Sequence, residues 1–340
     1  MKPALLFFLA TCLSCLSAKA QIITASPLLQ NTYTNPVIAD SYADPSYILA
    51  DNGYFYLYGT GENIMKSKDL VNWTYVGRAF STHRPDFVTG VKYYWAPCIN
   101  KINDQYVLYF AMSKWGGIDS CGIGVAVSST PEGPFMPYDN PLTAEKENGK
   151  LFLSYEIGVR NSIDPCYIED NGHKYMFWGS FYGIYAIELS DDGLTIKPGA
   201  QKTKIAGNAY EGTYIYKKDG YYYFFGSKGS CCDGANSTYT TVCARSTNLL
   251  GPYTNKIGEL LTNNKHEIMI SGNSKWAGTG HNAEITTDIN GNTWILYHAY
   301  SKKNPEIGRM VLMDQVKWEN NWPYIEGGTP SSRAAAPILK

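Results

Sequence analysis

The chain has 340 residues, a formal net charge of −1, 17 % charged residues and 14 % aromatic residues, 28 of them Tyr. That length allows a sizeable core and suits a single all-β or barrel-like domain. Near-neutral charge excludes a surface built for nucleic acid or anionic membrane, since both need clustered Lys and Arg.

The first segment, MKPALLFFLATCLSCLSAKA, has a basic start at Lys2, an apolar stretch from Ala4 to about Leu16 and a small-residue end, Ala18-Lys19-Ala20. This predicts a secretory signal over residues 1–20, cleaved before Gln21, and an exported mature chain, 21–340. The alternative is a lipoprotein signal using Cys12 or Cys15, and the apolar run is too short for a full membrane span. Six cysteines remain beyond it: Cys98, Cys121, Cys166, Cys231, Cys232 and Cys243. They form no CxxC pair and sit near no histidine cluster, so buried thiols are expected. Export allows a disulfide between the adjacent Cys231 and Cys232.

Five aromatic strand signals follow in order: YFYLYGT (54–60), YVLYFAMS (106–113), KYMFWGS (174–180), YYYFFGS (221–227) and TWILYHAY (293–300). Tyr and Trp suit strands, and they also suit contact with an uncharged, amphipathic ligand. A polar turn precedes each signal, such as Asn52-Gly53, Asn171-Gly172 or Asp219-Gly220, which marks a hairpin. A strand precedes each turn: DPSYILA (44–50), APCINKI (96–102), DPCYIED (164–170), EGTYIYK (211–217) and HNAEITT (281–287). In the first four pairs, fifteen residues separate Asp44 from Gly59, Ala96 from Ala111, Asp164 from Gly179 and Glu211 from Gly226. Outer turns recur at 67–73, 128–135, 189–196 and 245–253. No long segment has helical period. Hairpin repeats at this spacing predict an all-β, five-bladed β-propeller. Residues 31–40 are expected to close the ring by pairing with the last blade near 317–325.

A propeller turns the repeat into a site. The first strand of each blade lines the axis, so Asp44, Ala96 with Trp95 before it, Asp164, Glu211 and His281 are expected around one pocket. Asp-Pro at 44 and 164 would alone read as strand-starting turns. Two such motifs and a glutamate in one register instead point to catalysis. Carboxylates crowded in a cleft divide into one that keeps its proton and one that stays ionised, the general acid and base of glycoside hydrolysis. No GxSxG elbow, HExxH or P-loop is present.

The motifs ADPSYI, YWAPCI, NSIDPCYI, YEGTYIY and GTGHNAE, in that order over nearly the whole mature chain, resemble glycoside hydrolase family 43. WGSFYGI, CCDGANSTY, RSTNLLGPY and LYHAY are most similar to its arabinan-acting branch, the endo-1,5-α-L-arabinanases and α-L-arabinofuranosidases. The resemblance implies a glycosidase that inverts the anomeric carbon. Asp44 would be the general base, Glu211 the general acid, and Asp164 the group that raises and orients the acid. His281 matches a histidine that faces an axial Ca²⁺ mainly through waters. An axial histidine without metal is the plain alternative, and no other cofactor is implied. Asn161, Ser162, Ile163, Ser180 and Phe181 match positions that line the arabinose subsite. Trp95 would stack on a sugar, and Arg309 matches an arginine placed near the acid-modulating Asp164. Cys98 after Trp95-Ala96-Pro97, and Gly212-Thr213 after Glu211, depart from many relatives and leave endo or exo action open. The competing functions are a β-xylosidase or other exo-glycosidase of the same fold, and a non-catalytic sugar-binding propeller. The expected partner is a polysaccharide or oligosaccharide, without nucleic acid or membrane span, and the protein is expected to act as a monomer.

Overall fold

The alternation of aromatic runs with tight turns is realised as antiparallel hairpins arranged as the five blades of a propeller, with blades 4 and 5 joined into one nine-stranded sheet by a parallel bridge from Thr240 to Thr279. The computed structural model describes residues 31–81, 83–141, 146 and 148–340. The signal segment, 1–20, lies outside them. Residues Thr32–Lys340 form one compact unit.

Blade 1 consists of Ser46–Leu49, Phe55–Tyr58, Asn63–Ser67 and Thr74–Arg78, paired in chain order. Blade 2 has Trp95–Ile102, Gln105–Met112, Gly122–Ser128 and Lys150–Leu153, with the short strand Met136–Pro137 also on its third strand. Blade 3 is Cys166–Asp170, His173–Trp178, Ile184–Glu188 and Thr203–Ala206. Blade 4 is Glu211–Lys218, Tyr221–Lys228, Thr240–Ser246 and Glu267–Ile270. Blade 5 is Ile285–Thr287, Thr293–Ser301, Arg309–Glu319 and Trp322–Tyr324, and Trp276–Gly280 joins its second strand as well. Among the described residues, the α-helix is confined to one turn, Ser154–Ile157.

The hairpins form for a local reason. At Asn103-Asp104, Asn171-Gly172 and Asp219-Gly220 both turn residues have positive φ. Such turns twist in the same sense as the strands they join, and Asn, Asp and Gly tolerate that backbone best. The outer turns also fall where the repeat places them, after the third strands. In the first, the Ser67 hydroxyl accepts the N–H groups of Asp69 and Leu70.

Aromatic residues fill the gaps between blades. Phe80, Tyr94 and Phe110 meet between blades 1 and 2, with ring centroids 5.5–5.8 Å apart. Tyr223 and Trp318 meet edge to face at 4.9 Å between blades 4 and 5. Full burial of one such ring contributes about 1.5–3 kcal/mol, so these wedges hold the ring together.

Ring closure differs from the expected pairing. Thr32–Thr34 pairs with Arg333–Ala335, and Ile38 bridges to Val311. The Asn35 amide binds the Met313 backbone in both directions, accepting its N–H and donating to its carbonyl, at 2.9 Å each. The N-terminal segment therefore reaches the last blade, but not at 317–325. Lys317–Glu319 is already paired with Trp322–Tyr324 in a hairpin of its own. Edge groups used inside that hairpin are not free to pair again.

Candidate active site

Each blade enters the axis through a residue with left-handed backbone. These residues are Asp44 (φ 55°), Ala96 (φ 40°), Asp164 (φ 58°), Gly212 (φ 58°) and His281 (φ 46°). The repeat is real, but in blade 4 it is shifted by one residue. Gly212, not Glu211, is the counterpart of Asp44 and Asp164. Glu211 instead stands level with Trp95 and Ile163. Counted from the hairpin turns the frame is constant, with Ala96, Asp164 and Gly212 each six residues before the end of their strand at Ile102, Asp170 and Lys218. The offset arises because Gly226 stands five residues after the start of its second strand, Tyr221, whereas Gly179 stands six after His173.

The backbone N–H of this left-handed residue links neighbouring blades. Ala96 donates to Thr60 Oγ1 (2.9 Å), Gly212 to Asp164 Oδ2 (3.0 Å), His281 to Ser227 Oγ (2.8 Å) and Asp44 to His298 Nδ1 (3.1 Å). Each acceptor belongs to the preceding blade. Thr60, Ser180 and Ser227 each directly follow a glycine near the end of the second strand, in GT or GS. The Ser180 hydroxyl donates to Glu211 Oε2 at 2.6 Å, and Thr60 donates to Asp44 Oδ2 at 2.6 Å.

The three carboxylates, Trp95, Ile163, His281 and Arg309 line one cavity of ≈ 250 Å³. Asp44 is buried among donors. Its Oδ1 lies 2.8 Å from Arg309 Nη1 and 3.3 Å from Nδ1 of both His281 and His298. Burial opposes ionisation, but Arg309 first, then His281 and His298, outweigh it and hold Asp44 well below the usual carboxylate range. Asp164 behaves oppositely. Burial, and then repulsion from Glu211 and Asp44, raise it well above that range. Glu211 is also raised, chiefly by burial and against the pull of Ser180 and Tyr239. Asp164 and Glu211 are thus a buried pair that retains a proton beside an ionised Asp44.

Burial lowers both histidines near Asp44. Burial and Arg309 push His298 down to about 4. Its Nδ1 accepts the Asp44 N–H, so the ring proton sits on Nε2, which has no partner. The ring stacks on Tyr239 at 5.6 Å. Burial also lowers His281.

The remaining expected residues divide. Trp95, Ile163 and Arg309 are in the cavity wall. Arg309 binds Asp44 directly, rather than standing chiefly beside Asp164. Ser180 acts through Glu211, and Asn161 donates to the Ser180 carbonyl at 3.1 Å. Ser162 does not reach the cavity. It is fully buried, its hydroxyl donates to the Val159 carbonyl and accepts the Trp178 indole N–H, and no surface is left for a ligand. Phe181 is exposed but outside the cavity wall.

The sequence reading missed Thr60, His298, Tyr93, Trp115 and Tyr239. The repeated Gly-Thr/Ser ending of the second strands was the available signal for Thr60. His298 lies within LYHAY, but its approach to Asp44 is set by the contact between blades 5 and 1. Ca²⁺ fits these residues poorly. It needs several oxygen ligands, and no group of three His, Cys, Asp or Glu ligands occurs among the described residues. The carboxylate beside His281 is already engaged by Arg309.

Comparison with known proteins agrees with the geometry. The Glycosyl hydrolases family 43 profile matches residues 33–323. An extracellular exo-α-(1→5)-L-arabinofuranosidase of Cellvibrio japonicus is 31 % identical over 301 residues, covering 81 % of this chain and 83 % of that protein. An extracellular endo-α-(1→5)-L-arabinanase of Bacillus subtilis is 32 % identical over 297 residues, covering 82 % and 86 %. The Cellvibrio cellulosa α-L-arabinanase solved with arabinohexaose superposes with a TM-score of 0.71 at 28 % identity, over 85 % of this chain and 96 % of that one. A five-bladed propeller with axial carboxylates and a profile match across nearly all of its blades belongs to glycosyl hydrolase family 43.

Proposed function

We propose that this protein is an exported glycosidase that cleaves α-L-arabinofuranosyl linkages of arabinan or of arabinose-containing plant polysaccharide, with inversion. The observation that carries this reading is the division of protons in one cavity. Asp44 is held ionised while the Asp164–Glu211 pair keeps a proton. The relatives' names supply the substrate class, and the N-terminal leader together with the extracellular relatives supports export. Among the described residues no helix is long and apolar enough to cross a membrane.

In the proposed step a water attacks the anomeric carbon, and Asp44 takes one of its protons. The C–O bond breaks as Glu211 passes its proton to the departing oxygen. The proton that Asp164 and Glu211 share sits on Glu211 for this step, and Asp164 then carries the negative charge of the pair. Arg309 and Thr60 hold Asp44 in place, and Trp95 offers a face for the sugar ring. Proton exchange with solvent restores both carboxyls. A binding module has no need of such a division, so the non-catalytic reading is not favoured, and neither is a xylosidase.

The test is digestion of linear arabinan, with xylan and nitrophenyl glycosides alongside, followed by NMR at early times. The first product carries the anomeric configuration opposite to the substrate. Glu211→Gln loses two or more orders of magnitude in kcat, as expected for removal of a general acid, while its thermal midpoint is kept. A product of retained configuration would refute inversion. Free arabinose alone identifies exo action, and mixed oligosaccharides identify endo action.

A further inference from the structure

Two cysteines stand beside the carboxylates without a part in this step. Cys231 and Cys232 are joined by a disulfide, and the other four described cysteines, Cys98, Cys121, Cys166 and Cys243, are free and buried. The pair sits in the loop between the second and third strands of blade 4. Cys231 is half-buried and Cys232 exposed, and both line the cavity that holds Asp44, Asp164 and Glu211. The rest of that mouth is aromatic. Tyr93, Trp95 and Trp115 belong to blade 2 and its loops, and Trp115 is 83 % exposed.

The loop holds the disulfide in place. Tyr239 N–H donates to the Ser230 carbonyl (3.0 Å), Ser230 N–H to Thr238 Oγ1 (3.0 Å) and Asp233 N–H to Ser237 Oγ (2.9 Å). Tyr239, at the end of this loop, stacks on His298, which accepts the Asp44 N–H. One short loop therefore ties the disulfide to the surroundings of Asp44. Linking neighbouring cysteines removes both S–H donors and leaves a compact, polarizable sulfur surface with little hydrogen-bonding capacity. Such a surface gives dispersion contact to the C–H face of a sugar ring and discriminates against its hydroxyls.

We propose that the Cys231–Cys232 disulfide is a substrate-contacting wall of the active site and packs against the sugar on the leaving side of the scissile bond. The side follows from blade 4. Glu211 must reach the departing oxygen, so the sugar beyond that oxygen lies toward the blade that carries Glu211. The inference rests on the arabinan-hydrolase reading and on the acid role of Glu211.

The test compares hydrolysis of α-1,5-linked arabinotetraose by the native protein before and after a water-soluble phosphine, and by a Cys231→Ser/Cys232→Ser double variant. The phosphine donates two electrons to the S–S bond. Water supplies its oxygen to the phosphine oxide and its two protons to the two thiols. The other described cysteines hold no disulfide, so the treatment acts on this bond. The expected result is a KM raised about fivefold or more with kcat within about twofold, the signature of lost substrate binding, and recovery on reoxidation. The phosphine-treated native protein keeps the test valid where the double variant folds poorly. An unchanged KM, or a loss confined to kcat, overturns the wall while leaving the hydrolase reading intact. No cleavage by the untreated protein overturns both.

Discussion

Asp44 is a buried carboxylate that stays charged, and the groups responsible are few. Arg309 is 2.8 Å away, and Thr60 donates to the other oxygen at 2.6 Å. An opposite charge at such range typically lowers a carboxyl pKa by about 1–3 units. Arg309→Gln removes that charge, so Asp44 binds its proton at higher pH. A general base works only when deprotonated. The acidic limb of the kcat/KM profile should therefore move upward by about one unit or more, with Arg309→Lys recovering much of the shift. The basic limb reports loss of the proton held by Asp164 and Glu211, and should move less. An acidic limb that stays in place would mean that another group is the base. Arg309 was legible in IGRMVLM, but its partner was not, because 265 residues separate it from Asp44.

At the scale of one strand, the left-handed entry residue is the recurring device. Non-glycine residues in that conformation cost free energy, and such strain is tolerated where a site requires it. Asp44, Asp164 and His281 carry side chains there. Gly212 carries none, and a Cβ at this position would stand 3.1 Å from the His281 ring, on a backbone with φ +58°. Gly212→Ala should therefore destabilise the fold by about 1–3 kcal/mol, read as a lower urea midpoint, and should depress activity through displacement of His281. An unchanged midpoint would show that the backbone accommodates the methyl group. The fifteen-residue count reached the right blade but the wrong residue. Its end mark, Gly226, falls one residue earlier in the second strand than Gly179 does, so the count slid by one. The strand and its carboxylate were legible, and a count from the turn places Gly212 seven residues before Asp219 as Asp164 stands seven before Asn171.

Across the whole molecule, the ring is held by contacts between blades far apart in sequence. Glu284 accepts the Ser46 hydroxyl and the Tyr47 N–H, both at 2.6 Å, and Ser46 Oγ in turn accepts the Ile99 N–H at 3.1 Å. Blades 5, 1 and 2 are joined through one carboxyl. Burial raises Glu284 from 4.5 to about 7. Between those values the folded protein holds a proton that the unfolded chain has released, so this group's contribution to stability falls as pH rises through that window. Glu284→Gln cannot titrate. The difference in thermal midpoint between native protein and variant should vary with pH from 4.5 to 7 and become flat outside that range. A difference independent of pH would show that Glu284 does not titrate on folding.

Composition, hairpin dipeptides and the fivefold aromatic repeat were enough to determine an all-β propeller with its carboxylates at the axis. These are local properties: alternation sets the strand faces, and Asn-Gly or Asp-Gly sets the turns. The free, buried state of Cys98, Cys121, Cys166 and Cys243 followed from the same reading. Only the tertiary structure decided which carboxyl is charged. It also decided that Arg309, Thr60 and His298 converge on Asp44, that Ser162 is sealed away from the cavity, and that the linked cysteines face it. Protonation and convergence depend on burial and on charges brought together from different blades, and no local pattern in the chain encodes those distances.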